Sequence, residues 1–580
     1  MTVADYFIDF LIENDVTDVF GYQGGMIAYL FDSLGERKDR IVCHSCATEQ
    51  GAALAACGYA QATGKMGIVL STSGPGFTNL LTGMANAWFD SLPMLCISGQ
   101  VNTKDKRRNL SVRQFGFQEI QAPEMAKVIT KKTYEIDNDT DIEACLEEAW
   151  TTAIEGRKGP VFIELPINIC RNEIDPSIKK IQEPSLEETR NEEIKRCIEK
   201  ISRAKKPVII AGAGINQAGL REEFKELVEL LKIPVITTLP AIDLLPTDNL
   251  YRVGYLGGTA RREAGVVLAE ADLVLSLGTR LCAKQIGYHM EFFAPKAKLI
   301  RVDIDSSELE RTVKKGEQQI NIDLRIFISE SVMLLEDANY IGMHSQWVSE
   351  CTEMKHLLAK EDVTYGNVVV NNLTECLPDG YNITLDVGNN MIYGAQSSVI
   401  RNCTRVFTSA GFGAMGYALP AAIGATIGNK KPTCVISGDG GLQMNIQELN
   451  FISKKKLPIK VFVLNNKALG HILLFQKAYL EERYHATDEK NGDYFSCDFV
   501  KIAEAYGIRG YKIKGETDIR NYTEELRDDK PALFELEYED CPLLPNIHGG
   551  NDCLLSGPKL DEVLIDKIRA LGFSELKAEE

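Results

Sequence analysis

No run of 18 apolar residues occurs in the 580-residue chain, so no membrane-spanning helix is expected. Cations are in deficit. The 64 lysines and arginines stand against 82 aspartates and glutamates, a net charge of −18. That argues against non-specific nucleic-acid binding, which requires a basic face, while leaving room for a local basic pocket around an anionic ligand. No secretory core is seen at the start: residues 1–12 carry Asp5 and Asp9 in an apolar pattern and read as an amphipathic helix. The 15 cysteines are scattered and odd in number, which argues against a fully paired disulfide framework. These absences point to a cytoplasmic protein in reducing surroundings. Cys43-His44-Ser45-Cys46 has redox or zinc spacing, but no further ligands cluster nearby, and buried free thiols at a strand end are expected.

What is present is an alternation of short β-branched runs with helical stretches, the pattern of parallel α/β sheets. Strands are expected at Gly67–Ser71, Met94–Ser98 and Pro160–Leu165, then at Val208–Ala211, Pro234–Thr238, Asp272–Leu277 and Lys298–Val302, and finally at Asn382–Leu385, Thr433–Ser437, Ile459–Leu464 and Ala532–Leu536. The polar segment Ile174–Glu193 reads as a linker. The division is 1–175, 190–340 and 360–545, each a doubly wound parallel-sheet domain, with a tail over 546–580.

The chemistry concentrates in the third block. Strand Thr433–Ser437 runs directly into Gly438-Asp439-Gly440-Gly441, a helical pattern follows from about Met444, and strand Ile459–Leu464 ends in Asn465-Asn466. A right-handed crossover makes the two strands parallel and brings Asp439 and Asn466 to one ligand-binding edge. One carboxylate, one amide oxygen and a backbone carbonyl form an incomplete set for a hard cation. Mg²⁺ takes its remaining oxygens from phosphates and water. Glycines and a helix N-terminus suit those phosphates, so the residues themselves imply a Mg²⁺–diphosphate site.

This constellation resembles the thiamine diphosphate-binding motif, and the resemblance extends over almost the whole chain, most nearly to the acetolactate synthase large-subunit group. Matching segments include Val19-Phe20-Gly21-Tyr22 with Gly24-Gly25, Thr48-Glu49-Gln50-Gly51-Ala52, Thr72-Ser73-Gly74-Pro75-Gly76 with Thr78-Asn79, Gly116-Phe117-Gln118-Glu119, Asp386-Val387-Gly388, Gly411 to Pro420, and Asp498 to Gly510. The resemblance implies that the first block binds the pyrimidine and the third the diphosphate. Glu49 would activate the cofactor at its pyrimidine N1′, with Tyr22, Pro75 and Asn79 nearby. Met415, in the turn begun by Gly413, would prop the cofactor in a V shape. Gly388, Asn389 and Asn390 would form a diphosphate loop, and Gly438, Gly440, Gly441, Leu469 and Gly470 would complete the cofactor site. Asp439, Asn466 and the Ala468 carbonyl would ligate Mg²⁺. Gly25, Phe117, Gln118 and Lys131 would line the substrate side. The group's active sites lie between the first block of one subunit and the third of another, implying a homodimer or homotetramer. A small regulatory subunit is left open.

Several positions depart from the group. Gln23 replaces proline, Thr48 replaces histidine, and Asn389-Asn390 replace Gln-His. His471 replaces methionine and Phe475 replaces an acceptor-sizing tryptophan. Phe475 widens the pocket, and His471 adds a titratable group at the reaction centre. The group's central domain binds FAD. Arg157, Gly212-Ala213-Gly214, Thr237-Thr238 and Gly278-Thr279-Arg280 are kept, but Met-His is missing from Gly254–Thr259, and Cys282-Ala283-Lys284 replaces an acidic pair with a closing arginine. FAD therefore stays open. The expected activity is carboligation: a 2-ketoacid such as pyruvate is decarboxylated and its two-carbon unit passes to a carbonyl acceptor. Alternatives are 2-ketoacid decarboxylation, C–C bond hydrolysis, ligation onto a nucleotide-linked keto sugar, and a non-catalytic subunit.

Overall fold

The computed structural model describes all residues except 108–109, 183–190, 339, 341, 540–542, 545, 548–555 and 576–580. Three six-stranded parallel sheets form in succession. The first holds β1 (Asp18–Gly21), β2 (Val42–Ser45), β3 (Gly67–Ser71), β4 (Met94–Gln100), β5 (Lys132–Glu135) and β6 (Pro160–Pro166), in the order β2-β1-β3-β4-β6-β5. The second holds β7 (Pro207–Ala211), β8 (Val235–Thr238), β9 (Arg252–Leu256), β10 (Leu273–Leu277), β11 (Lys298–Asp303) and β12 (Gln318–Asn321), in the order β12-β11-β10-β7-β8-β9. The third holds β13 (Asn382–Leu385), β14 (Arg405–Thr408), β15 (Thr433–Gly438), β16 (Ile459–Asn465), β17 (Arg509–Ile513) and β18 (Ala532–Glu537), in the order β14-β13-β15-β16-β18-β17. The first and third sheets share one winding. The expected strands form, because parallel strands covered on both faces read as continuous apolar runs; Ile68, Val69 and Leu70 of β3 are fully buried.

The first and third domains meet along helices Glu49–Thr63 and Ala418–Asn429. Small residues permit backbone contact there. A methyl group on Gly424 would lie 1.8 Å from the Ala55 carbonyl, and one on Gly58 would lie 2.1 Å from that of Ala421. One apolar core accordingly runs from Phe20 and Phe162 to Tyr417 and Leu533.

Three segments outside the expected domain spans pack against the domains. Helix Ser345–Leu358, beyond the expected end of the central domain, packs on the central sheet, with Trp347 Nε1 donating to the Pro207 carbonyl at 3.2 Å. The tail helix Glu562–Ala570 joins the same core through Ile565 and Ile568. The linker is not free over its described part: Ile178 and Ile181 rest on the first domain, and Ile181 N–H donates to Asn14 Oδ1 at 2.8 Å. Residues 183–190 of that linker, and the glycines expected in the tail at Gly549 and Gly550, lie outside the described residues. The described cysteines are all free. Burial pushes the Cys43 thiol up to about 11, and neighbouring His44 pairs with Asp18 at 2.8 Å. Among the described residues, no helix is long and apolar enough to cross a membrane.

Candidate active site

Thr48 caps helix Glu49–Thr63, its hydroxyl accepting the Gly51 N–H at 3.0 Å. Glu49 is thereby the first helical residue, just beyond the carboxyl end of β2. It is buried, and Asn79 Nδ2 donates to its Oε2 at 3.0 Å. Pro75 opens helix Pro75–Phe89 after Gly74, whose φ is +61°. Gln118 lies against Gly74 and has φ +64°, an unusual conformation for a residue with a side chain. Tyr22 and Gly25 leave β1 at the same edge, where Met26 N–H donates to Thr72 Oγ1 at 3.3 Å. Phe117 is 78% exposed on that rim. Glu49, Asn79, Pro75, Tyr22, Gly25, Phe117 and Gln118 are therefore gathered at the carboxyl edge of one sheet.

Lys131 is not with them. It precedes β5, its N–H donating to the Pro160 carbonyl at the amino edge of the sheet, and its Nζ donates to the Glu155 carbonyl at 2.6 Å. Loss of solvent lowers its pKa. Strand direction alone places Lys131 at the opposite edge of its own sheet from Glu49.

In the third domain β15 lies beside β16, with Gly438 level with Leu464. The helix expected from about Met444 starts at Asp439 and runs in three pieces, Asp439–Met444, a 3-10 turn Ile446–Glu448, and Leu449–Lys455. Two glycines in the first turn weaken the helical signal without preventing the turn. Asp439 is buried and pushed up to about 6 by desolvation, against hydrogen bonds from Tyr494 and from the Gly440, Asp439 and Ala468 backbone. The Tyr494 hydroxyl donates to Asp439 Oδ2 at 2.9 Å, and burial followed by Asp439 raises the tyrosine's own pKa. Asn466 Oδ1 accepts the Ala468 N–H at 3.3 Å, which folds the loop back beside Asp439. Leu469 and buried Gly470 lead into helix Gly470–Tyr479. Met415 Cε would lie 3.5 Å from a methyl on Gly440.

The available donors are all oxygens: one carboxylate, one amide and one carbonyl. They fit a hard cation. Among the described residues no cluster of three His, Cys, Asp or Glu side chains could hold a metal.

Gly388, at φ +120°, caps helix Asn389–Ser397. Asn390 Nδ2 donates to the Asp386 carbonyl at 2.6 Å and ties the strand ends together, and its Oδ1 would lie 3.2 Å from a methyl group on Gly388 or on Gly438. Asn389 Oδ1 lies 3.3 Å from His471 Nδ1, and Asn389 Nδ2 is buried with no partner among the described residues. Partial desolvation, then Lys284, lowers the His471 pKa. Lys284, in place of the group's closing arginine, thus acts electrostatically on this same mouth.

Three residues escaped the sequence reading. Asp386 had no assigned role, yet it accepts N–H groups from Val387 and Gly416 at 2.8 and 2.9 Å and anchors the Gly413–Gly416 turn. Tyr494 sits in a segment without a motif. Glu448 bonds a residue 401 positions away.

Two identically wound domains, one presenting a buried glutamate and the other an Asp/Asn oxygen loop behind glycines, define a two-part site for a diphosphate cofactor. Residues 1–125, 194–330 and 386–536 match the N-terminal TPP binding, central and C-terminal TPP binding domains of thiamine pyrophosphate enzymes. The chain belongs to the thiamine pyrophosphate enzyme family. It is 30% identical over 559 residues to acetolactate synthase isozyme 2 large subunit of Escherichia coli, covering 94% of this chain and 98% of that one. It is 33% identical over 543 residues to acetolactate synthase large subunit of Lactococcus lactis, with 91% and 90% covered. For chloroplastic acetolactate synthase 1 of Oryza sativa the values are 31% over 581 residues, with 96% and 88% covered.

Proposed function

We propose that the protein is an acetolactate synthase-like carboligase, dependent on thiamine diphosphate and Mg²⁺, that decarboxylates pyruvate or a related 2-ketoacid and passes the two-carbon unit to a carbonyl acceptor. What carries this is the presence in one chain of both half-sites, a buried Glu49 held by Asn79 and an Asp439–Asn466–Ala468 oxygen loop, in a chain similar over more than nine-tenths of its length to acetolactate synthases.

Thiamine diphosphate supplies the ring that stabilises the carbanion. The chain supplies the rest. Glu49 holds and returns a proton at the pyrimidine N1′, and Asn79 fixes its carboxylate. Asp439, Asn466 and the Ala468 carbonyl would bind Mg²⁺, and Gly388, Asn389, Asn390, Gly438, Gly440, Gly441, Leu469 and Gly470 would surround the diphosphate. Met415, beside Gly440, would pack against the cofactor. The Gly25 N–H steadies developing negative charge on the substrate oxygen, with Phe117 and Gln118 beside it and His471 on the acceptor side. Glu49 of one subunit and Asp439 of its partner serve one cofactor, so the active form is a homodimer or homotetramer. Large exposed apolar side chains around each half-site support this, among them Phe115 and Phe117 on one and Phe475, Tyr479 and Phe495 on the other. The open mouth near Phe475 and His471 favours a second reading, ligation onto a bulkier polar acceptor such as a nucleotide-linked keto sugar.

A cavity of about 890 Å³ lies where the three domains meet, lined by Gly214, Thr238, Gly278, Arg280 and Asp303 among others. Asp90 Oδ2, Asn216 Oδ1 and Thr238 Oγ1 line it and lack partners among the described residues. That size and those polar groups fit a polar ligand as large as a dinucleotide, and FAD is the one the family resemblance implies. Arg157 is already engaged by Asp305 and Glu308 at 2.9 Å each, so the other lining groups would carry the contacts.

The test is purified enzyme with ketoacid donors and a panel of aldehyde and ketone acceptors, with products identified by mass spectrometry. Visible absorbance of the same preparation reports flavin. Glu49→Gln should lose at least about 100-fold in turnover while keeping its circular dichroism. Near-normal turnover in that variant would refute the role of Glu49, and absence of CO₂ release over the whole ketoacid panel would refute the carboligase reading.

A further inference from the structure

Glu448 is a titratable group that the mechanism above leaves unused. It ends the turn Ile446–Glu448, directly after the helix that begins at Asp439. Its side chain is fully buried, and desolvation pushes its pKa up to about 7 against hydrogen bonds from the Ala47 and Thr48 backbone. Both carboxylate oxygens receive the Ala47 N–H, at 3.1 and 3.2 Å. Ala47 and Thr48 form the approach to the Glu49 helix. From the other side Gly51 makes room for the same carboxyl: a methyl group there would lie 2.1 Å from Glu448 Oε1. A buried carboxyl group in a nearly apolar setting is expensive to keep, and here it grips the backbone from which Glu49 projects.

We propose that Glu448 is a positioning residue for Glu49. It clamps the Ala47–Thr48 turn and so sets the direction in which the Glu49 side chain leaves its helix, while Asn79 fixes the far end of that side chain. The proposal rests on the reading of Glu49 as the group that activates the cofactor. Its weight comes from the tolerance of such chemistry: a displacement of about 1 Å at a catalytic group lowers rates about 100-fold. A clamp on the turn acts on the chemical step and leaves the diphosphate and ketoacid contacts in place.

Two variants approach the clamp from opposite sides. Glu448→Gln keeps the shape but presents an amide NH₂ to a backbone N–H. Gly51→Ala leaves Glu448 intact and pushes its flexible end off the turn. Each is expected to lower kcat about tenfold, with KM for the ketoacid and Kd for thiamine diphosphate within about twofold of wild type. In a Glu448→Ala background, adding Gly51→Ala should bring no further loss, since the crowded atoms are gone. Wild-type kcat in both single variants overturns the proposal, as does a fall of kcat, KM, Kd and Tm together, which marks general loosening. Glu49→Gln is measured alongside. If it turns over normally, the reading of Glu49 fails; if it is inactive while Glu448→Gln and Gly51→Ala are normal, only the clamp fails.

Discussion

At Asp386 a single carboxylate organises three pieces of the cofactor half-site. It is fully buried and accepts N–H groups from Val387, Gly416 and Ala418 and a hydroxyl from Ser437, at 2.8, 2.9, 3.4 and 3.1 Å. Desolvation pushes its pKa up to about 6, the hydrogen bonds offsetting part of that rise. A folded-state value above the unfolded one means that the native protein holds the proton more tightly. The group's stabilising contribution is therefore complete below about pH 4 and is lost as pH rises through about 6. Asp386→Asn keeps the volume but puts a donor against donors. Thiamine diphosphate binding should weaken by about 10- to 100-fold, from about 1–3 kcal/mol for an unsatisfied buried group. The fall in apparent Tm between pH 4 and 6.5 should also become shallower than in wild type. Unchanged affinity in a cofactor titration would show that Asp386 does not set the Gly413–Gly416 turn.

Between elements, the contact of helix Glu49–Thr63 with helix Ala418–Asn429 is set by backbone rather than side chains. Gly424→Ala drives a methyl group into the Ala55 carbonyl, which cannot rotate away. Gly428→Ala on the same helix meets side-chain atoms of Thr63 and Tyr59, at 2.6 Å for the nearer. The first should destabilise by about 3 kcal/mol or more and the second by clearly less, measured as apparent Tm on purified protein. Equal effects would contradict a backbone-limited contact. This is also the scale at which the sequence was most legible. Apolar runs gave eleven of the eighteen strands in the three sheets, and the Gly-Asp-Gly-Gly turn between two of them gave the oxygen loop, because both signals are local. The Glu448 grip on Ala47 was not legible, since the partners are 401 positions apart. The amphipathic patterns of Ser345–Leu358 and Glu562–Ala570 show a face that must be covered but not the sheet that covers it. Which strand edge Lys131 occupies was not legible either, because a short matching segment carries no information about it.

In the whole molecule, Asp243 ties the central domain to the third. It is fully buried, with Arg405 Nε at 2.8 Å, Val406 N–H at 3.2 Å, Asn216 Nδ2 at 2.9 Å and Arg221 at 3.6 Å. Burial alone would raise its pKa, but Arg405 and Arg221 hold it below the ordinary value. Arg405 also donates to the Gln61 carbonyl at 3.4 Å, so one guanidinium touches all three domains. Asp243→Asn leaves two half-buried arginines without their counterion and should lower stability by about 3–5 kcal/mol, with an earlier, separate transition in calorimetry as the central domain lets go. A single transition at the wild-type temperature would show that docking does not depend on this ion pair. The Ala55–Gly424 contact has a further bearing, on how the protein is made. Its two sides are about 370 residues apart in the chain, and at 5–20 residues per second that distance takes roughly 20–75 s to translate. During that interval the Gly/Ala face of helix Glu49–Thr63 has been synthesised but its cover has not. The nascent first domain waits with an uncovered apolar strip beside a finished sheet, which makes ribosome-bound chains of intermediate length the species most in need of a chaperone.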